Sequence, residues 1–566
     1  MRLVLVWRGD PAGYPWAPEL RAGDVVVAFD DLAASDFGEQ AVRFDDLRSW
    51  DDRDDDERRI VKAFEQVAQS PALNDVSLGG CRITDFFEHS LRVDMAHVLR
   101  GWTAGRSAPH CAEVVADPAS PAAVAIGAHA ALGLDPPRRE YAPDHSPTWQ
   151  SSLPRRIVGN GLVHATALAP RGRDARIAAT SNFKVTPALS STDPGDLRAL
   201  GVAAMPLPGF DPRDNLRTAR QSRLPILRTL APVSQRGAPP LDLSGDVSIA
   251  TGIADLDQAL GSVTTRLARI AWPQLWQAVR ATGALERQRD LRALLLPTMF
   301  SGTPRVFTAW AREHGIRLGV VQHGLYAHRR FDGQDRGADM VLTWGDGVAE
   351  QTRDWGGTPP APRTIGAPSV RRGDVVRERP RRVRRVLLTT TGPHIDSGIF
   401  PGAVHDTFLE AILPGIRRMQ RDGIEIALRV APSETPGRYL RAFELAGITV
   451  PLADPVPIAD AIRQHDLVIC PFSSVALEAS ALGVPVLMCL PVMPTPFARD
   501  YLVTPWTEPL PGVFHDATEF LRLAEGLAGE NPPTVATGFE LVDALSSYVQ
   551  PFDAGAFTSA LRDLSD

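Results

Sequence analysis

Two hydroxyls, Ser473 and Ser474, stand between the apolar run DLVICPF and the helix-like run VALEASALG. A helix N-terminus presents N–H groups without intrahelical partners and a partial positive charge, so paired hydroxyls there suit a phosphate. Helix capping is the plain alternative, since serine is a preferred cap. Glu478 falls one turn further on, and Gly483-Val484-Pro485 leads into the next apolar run. In GVVQHG, the residues Gln322, His323 and Gly324 follow an apolar run and would stand at a strand end. An imidazole with its ordinary pKa of about 6.5 suits a hydrogen bond to phosphate or a proton shuttle, although a lone histidine at a strand end can be purely structural. In TTTGPHIDSG, Thr390, Thr391 and Gly392 can form a backbone nest for an anion with His394 close by; an ordinary polar loop reads the same way.

These residues need elements to hold them. From residue 383 onward, short apolar runs alternate with stretches of helical period: VRRVLLTTT, a helix to Gly423, IEIALRV, GRYLRAFELAG, ITVPL, PIADAIRQH, DLVICPF, SSVALEASALG and VPVLMCL. Such alternation predicts βαβ units and a parallel sheet. Upstream, LVLVW, DVVVAFD, CAEVV, RALLLPTM, IRLGVVQHG and ADMVLTWG read as strands, and 83–103 and PAAVAIGAHAALGL as helices. The expected organisation is α/β: an N-terminal Rossmann-like domain over 1–370 with a loop-rich insert near 135–250, a linker over 371–385, and a C-terminal Rossmann-like domain over 386–566. Open parallel sheets bind ligands at the carboxyl ends of their strands, where the motifs fall.

SSVALEASALGVPV resembles the nucleotide-binding end of GT-B glycosyltransferases, in which two Rossmann-like domains face a central cleft. It is most similar to bacterial transferases of surface-polysaccharide assembly whose paired serines hold the donor phosphate, among them CMP-sugar and CDP-glycerol users. QHG, the Trp344-Gly345 pair and Gly366-Ala367-Pro368 resemble the end of the N-terminal domain in the same group. The resemblance covers roughly 300–500. It implies a metal-independent glycosyltransferase without a cofactor, the nucleotide sugar being a substrate, with a CMP-activated acid sugar such as Kdo as the leading donor. The acceptor would be a surface-polysaccharide oligosaccharide or a lipid-linked glycan. Ser473, Ser474, Glu478, Thr390, Thr391, Gly392, His394, Gln322 and Gly324 would hold the donor. The family's His-Pro pair corresponds to Ala431-Pro432, so one phosphate ligand is replaced, with Ser433 beside it. Alongside His323, the first domain offers Glu88 and Asp10 to activate the acceptor hydroxyl. A nucleotide-sugar 2-epimerase of the same fold, or a non-catalytic relative acting as a scaffold, are the rival readings.

Composition fits these expectations. The 566 residues are 44% hydrophobic and 22% charged, ordinary globular values. Sixty Lys and Arg against 67 Asp and Glu leave a net charge of −7, which disfavours nucleic-acid binding by charge. Four cysteines without zinc-type spacing suit a reducing compartment. No 18-residue apolar run or signal-peptide pattern appears, so the expected location is cytoplasmic. The arginines between 377 and 385 allow peripheral attraction to the inner membrane or an anionic lipid-linked acceptor; a solvated linker reads the same. The acidic run DDRDDDER is expected to be a solvated helix start, not a metal site.

Overall fold

The computed structural model describes every residue except 8–19, 30–36, 38–39, 48–49, 75, 118–119, 136–174, 181–184, 209–219, 228, 230–237, 239, 242, 244–246, 300–301, 323, 327–336, 354–360, 377–379, 392–402, 433, 435 and 491–501. Asp10, His323, Gly392, His394 and Ser433 therefore lie outside the described residues.

Among the described residues, three parallel sheets of four or more strands carry the chain. The first contains β1 (Arg2–Val6), β2 (Val25–Ala28), β3 (Ala41–Arg43) and β6 (Glu113–Ala116) in the order β3-β2-β1-β6, with a two-residue hairpin, β4 (Ser77–Leu78) and β5 (Cys81–Arg82), beside it in sequence. The second joins β7 (Ile177–Thr180), β8 (Val202–Met205), β9 (Ala293–Leu296), β10 (Arg317–Val321), β11 (Met340–Thr343) and β12 (Ala361–Thr364) in the order β12-β11-β10-β9-β7-β8. After β13 (Ala367–Arg371), the third sheet runs β15-β14-β16-β17-β18, formed by β14 (Arg385–Thr389), β15 (Glu425–Arg429), β16 (Leu467–Pro471), β17 (Val486–Cys489) and β18 (Val513–Phe514). Strands such as RVLLT and LVICP are buried along almost their whole length. Helices cover both faces of the sheet, which is why these strands read as continuous apolar runs.

The six- and five-stranded sheets are the two expected Rossmann-like units. The span 1–370 differs from expectation by holding two sheets, the four-stranded one being an additional unit. Its helices, Trp50–Gln69 and Ile83–Ser107, share a core with the 29-residue helix Ala254–Thr282. Two further differences concern boundaries. The 135–250 stretch supplies β7 and β8, so it builds the second sheet and is not only an insert. At the other end, the helix Ala554–Ser565 leaves the third sheet and packs Phe557, Leu561 and Leu564 against the second. ITVPL forms no strand; it contributes only an isolated bridge between Leu428 and Leu452.

The second and third units are tied where the chain crosses between them. β13 pairs with β19 (Pro551–Phe552), and Gln550 N–H donates to the Trp344 carbonyl at 2.9 Å. At Gly345, a β-carbon would lie 2.3 Å from the Tyr548 carbonyl carbon, so only glycine permits this approach.

Candidate functional site

The third sheet has the order 2-1-3-4-5 in its own strands, and that order reverses between β14 and β16. A crevice opens at the carboxyl ends of strands at such a switch point. The register pairs Leu388 with Ile469 and Thr389 with Arg429. Neighbouring strands lie about 4.8 Å apart. Three strand ends therefore lie side by side: Ala431 after β15, Thr390 and Thr391 after β14, and Phe472 to Ser474 after β16.

Ser474 is the N-cap of the helix Val475–Leu482, yet its side chain caps nothing. The capping contact comes from Ser473, whose Oγ accepts the Val475 N–H at a long 3.4 Å. Both serines are half-buried. Across the boundary between units, Gly324 faces Ser474: a β-carbon on Gly324 would stand 3.5 Å from Ser474 Cβ and 3.7 Å from its Oγ. The QHG turn of the second unit and the paired serines of the third thus meet, though they are 150 residues apart in sequence.

Gln322 follows β10 and is buried, with its amide engaged inside the protein. Its Oε1 accepts the Trp344 N–H at 2.6 Å and its Nε2 donates to the Gly324 carbonyl at 2.8 Å. Its place is that of a residue that shapes the turn. The turn is also held from the third unit, because Trp506 Nε1 donates to the Tyr326 carbonyl at 2.8 Å. Gln351 Nε2 donates to the Tyr326 and Thr504 carbonyls, at 3.2 and 2.7 Å.

Glu478 is buried one turn into the serine helix, where Ser369 Oγ of β13 donates to its Oε1 at 2.5 Å. Burial pushes its pKa up to about 7, against the smaller downward pull of the Ser369 hydrogen bond.

Thr390 and Thr391 are both buried. Thr390 Oγ1 donates to Glu434 Oε2 at 2.5 Å and accepts the Ala431 N–H at 2.9 Å. Tyr439 donates to the other Glu434 oxygen at 2.6 Å. Burial, and then the adjacent Glu434 carboxylate, push the Tyr439 phenol far above its ordinary value. Alternation explains this placement. Leu387 packs with Ala476 and Leu477 on one face of the sheet, while Val386 and Leu388 pack with Tyr439 on the other, the face toward which Thr390 turns.

Glu88 lies in the first unit on Ile83–Ser107 and accepts from Arg92 at 3.0 Å; that guanidinium also sits 4.3 Å over the Phe64 ring. Its shown partners belong to the first unit, and among the described residues no contact brings it to the serines. Ser369 and Glu434 are site residues that sequence reasoning missed. A buried carboxylate needs a hydrogen-bonding partner, which was the available signal for Ser369. Glu434 had only its place just after Ala431-Pro432-Ser433.

No family model and no curated protein matches the chain. Among solved structures it is similar to a UDP-GlcNAc 2-epimerase from Neisseria meningitidis bound to UDP-GlcNAc, with 10% identity, 68% of this chain and 98% of that chain covered, and a TM-score of 0.38. It is also similar to MurG from Acinetobacter baumannii (12%, 69% and 99%, 0.40) and to the Thermobaculum terrenum O-GlcNAc transferase (16%, 85% and 85%, 0.34). Likenesses this loose carry neither an activity nor residue roles to this chain.

Among the described residues, no group of three or more His, Cys, Asp or Glu is arranged to hold a metal ion. Among them too, no helix is long and apolar enough to cross a membrane.

Proposed function

We propose that the chain is a GT-B glycosyltransferase that moves a sugar from a nucleotide-activated donor to a surface-polysaccharide or glycolipid acceptor without a metal ion. One observation carries the reading: the Ser474 hydroxyl, uncommitted among the described residues and at a helix N-terminus beside a topological switch point, faces Gly324 across the boundary between two parallel-sheet units. The donor phosphate would rest on Ser473, Ser474 and the helix N-terminus, with Glu478 orienting the nucleoside or sugar. Thr391, Gly392, His394 and Ser433 would complete the donor side, and His323 would approach the phosphate from the second unit. Thr390 and Gln322 hold the two turns in shape through their hydrogen bonds within the chain.

In the reaction, an acceptor hydroxyl oxygen bonds to the anomeric carbon as the carbon–oxygen bond to phosphate breaks. The hydroxyl proton passes to a base of the N-terminal half, for which His323 and Asp10 are the candidates; Glu88 would first have to leave Arg92. Preorganised donors around the departing phosphate supply the main stabilisation. The paired serines favour a CMP-activated acid sugar as donor, and the arginine-bearing linker suits a lipid-linked acceptor at the inner membrane.

A scaffold that has lost chemistry is the second reading, favoured by Ala431 and by the engagement of Thr390 with Glu434. Thermal shift against CMP, CDP, UDP, GDP and ADP, each with EDTA, tests the nucleotide site. A ligand at 100 times its dissociation constant stabilises by about 2.7 kcal/mol. Turnover then separates the readings: a transferase releases nucleotide to an acceptor, an epimerase alters a UDP-sugar without one, and a scaffold does neither. No shift with any nucleotide would overturn the transferase reading.

A further inference from the structure

The second unit has a switch point of its own. In the order β12-β11-β10-β9-β7-β8, the strand sequence reverses between β7 and β9, and a crevice opens at the carboxyl ends of such strands. β7 ends on Thr180, which is fully buried and paired in register with Met205 of β8. Its Oγ1 has no hydrogen-bond partner. Ile177 and Ala179 pack with Phe557 and Leu561, while Ala178 packs with Leu296 and Phe307. Alternation turns Thr180 to the second of these faces, the one covered by the helix Gly302–Glu313.

That helix follows β9, yet Thr303 in its first turn donates through Oγ1 to the Pro208 carbonyl beyond β8, at 2.7 Å. β7 lies between β9 and β8, so the helix N-terminus crosses the end of β7, over Thr180. Its first-turn N–H groups lack intrahelical partners, and the turn carries no acidic residue. Arg305 brings a guanidinium to the same place, its Nη1 donating to the Met299 carbonyl after β9 at 3.4 Å. A β-carbon on Gly302 would meet nothing within 4 Å among the described residues, so there is room at the helix start. The third unit repeats the pattern. Thr389 ends its first strand, β14, on the face of the helix Val475–Leu482, and its Oγ1 is also buried without a partner. A buried hydroxyl left unpaired weakens a fold, so its recurrence at matching strand ends points to a ligand that completes it.

We propose that the second unit carries a second anion site, at which Thr180, the N-terminus of the helix Gly302–Glu313 and Arg305 bind a phosphoryl group. Donors and positive charge converge there, which favours an oxyanion over a neutral sugar. The site is separate from Ser473 and Ser474 and does not depend on how they are read. Its phosphoryl group belongs either to a soluble phosphate ester or to a lipid phosphate.

The test is calorimetric titration of the full chain carrying Ser473→Ala/Ser474→Ala, so that the serines contribute nothing. The probes are pyrophosphate and a short-chain phosphatidic acid below its micelle concentration. At least one should bind. Adding Thr180→Val should weaken that binding about tenfold, and Arg305→Gln should do the same. Thr180→Ser keeps the hydroxyl and should stay within about threefold of its parent. Because the hydroxyl is unpaired in the fold, Thr180→Val should melt no lower than its parent. Tighter binding of the lipid assigns a lipid phosphate and tighter binding of pyrophosphate a soluble one; both uphold the site.

Failure of both probes to bind overturns the proposal. So does unchanged affinity in Thr180→Val, a loss as large in Thr180→Ser as in Thr180→Val, or a lowered melting temperature in Thr180→Val. If the serine-free chain binds neither probe while the wild type binds a nucleotide, this site falls and the serine site stands. Binding that depends on Thr180 in a chain that takes no nucleotide upholds this site and removes the other.

Discussion

Two sets of hydroxyls end neighbouring strands of one sheet and do opposite things. After β14, the Thr390 hydroxyl both donates and accepts within the chain, and Tyr439 shares its carboxylate partner Glu434. After β16, Ser474 caps nothing and Ser473 makes one long contact. In sequence, TTTG and SSVA look equally suited to an anion. The partner available in the fold separates them: a saturated hydroxyl belongs to the structure, and an uncommitted one at a helix N-terminus is left for a ligand. The QHG turn repeats the lesson, since Gln322 is spent on Trp344 and Gly324 while Gly324 itself opens toward Ser474.

That contrast can be broken by stability measurements. The largest expected effect is at Glu478, whose pKa of about 7 lies above the ordinary carboxylate value of 4.5. The folded state holds this proton more tightly than the unfolded chain, so the contribution to stability falls as pH rises through 4.5 to 7. Glu478→Gln, which cannot ionise, should gain on the wild type across this window, by about 3 kcal/mol above pH 7. Denaturant titrations of both proteins at pH 5 and pH 8 would show it; a pH-independent difference would contradict the buried-carboxylate account.

Next, Glu434→Ala should cost about 2 kcal/mol, because the Thr390 and Tyr439 hydroxyls lose their common acceptor. Tyr439→Phe should cost about 1 kcal/mol by removing one of those bonds. Smallest of all, Ser473→Ala/Ser474→Ala should change stability by less than about 0.5 kcal/mol, since little inside the chain depends on either hydroxyl. If the serine pair proved as costly as Glu434→Ala, the distinction between the two strand ends would fail.

How far the sequence discloses these arrangements depends on burial. LVICP and RVLLT are legible because strands covered on both faces are apolar throughout. IAAT and VAAM of β7 and β8 are equally buried, yet short and rich in alanine, so only their neighbours in the sheet define them. Three strands of the four-stranded unit, β1, β2 and β6, were legible while the short β3 was not, and pairing decides that β1 joins β6 and none of the strands β7–β12. At the site, the serines and the glycine turn were visible as motifs. The Thr390–Glu434 link spans 44 residues and exists because β14 and β15 are neighbours, so no local pattern announces it.

The central claim is that Ser473 and Ser474 form a phosphate site between two units. It is tested most directly by calorimetric titration of the wild type and of Ser473→Ala/Ser474→Ala with the nucleotide that gives the largest thermal shift, in EDTA. The account predicts at least tenfold weaker binding in the variant, with its melting temperature unchanged. Equal affinity in the two proteins would contradict it.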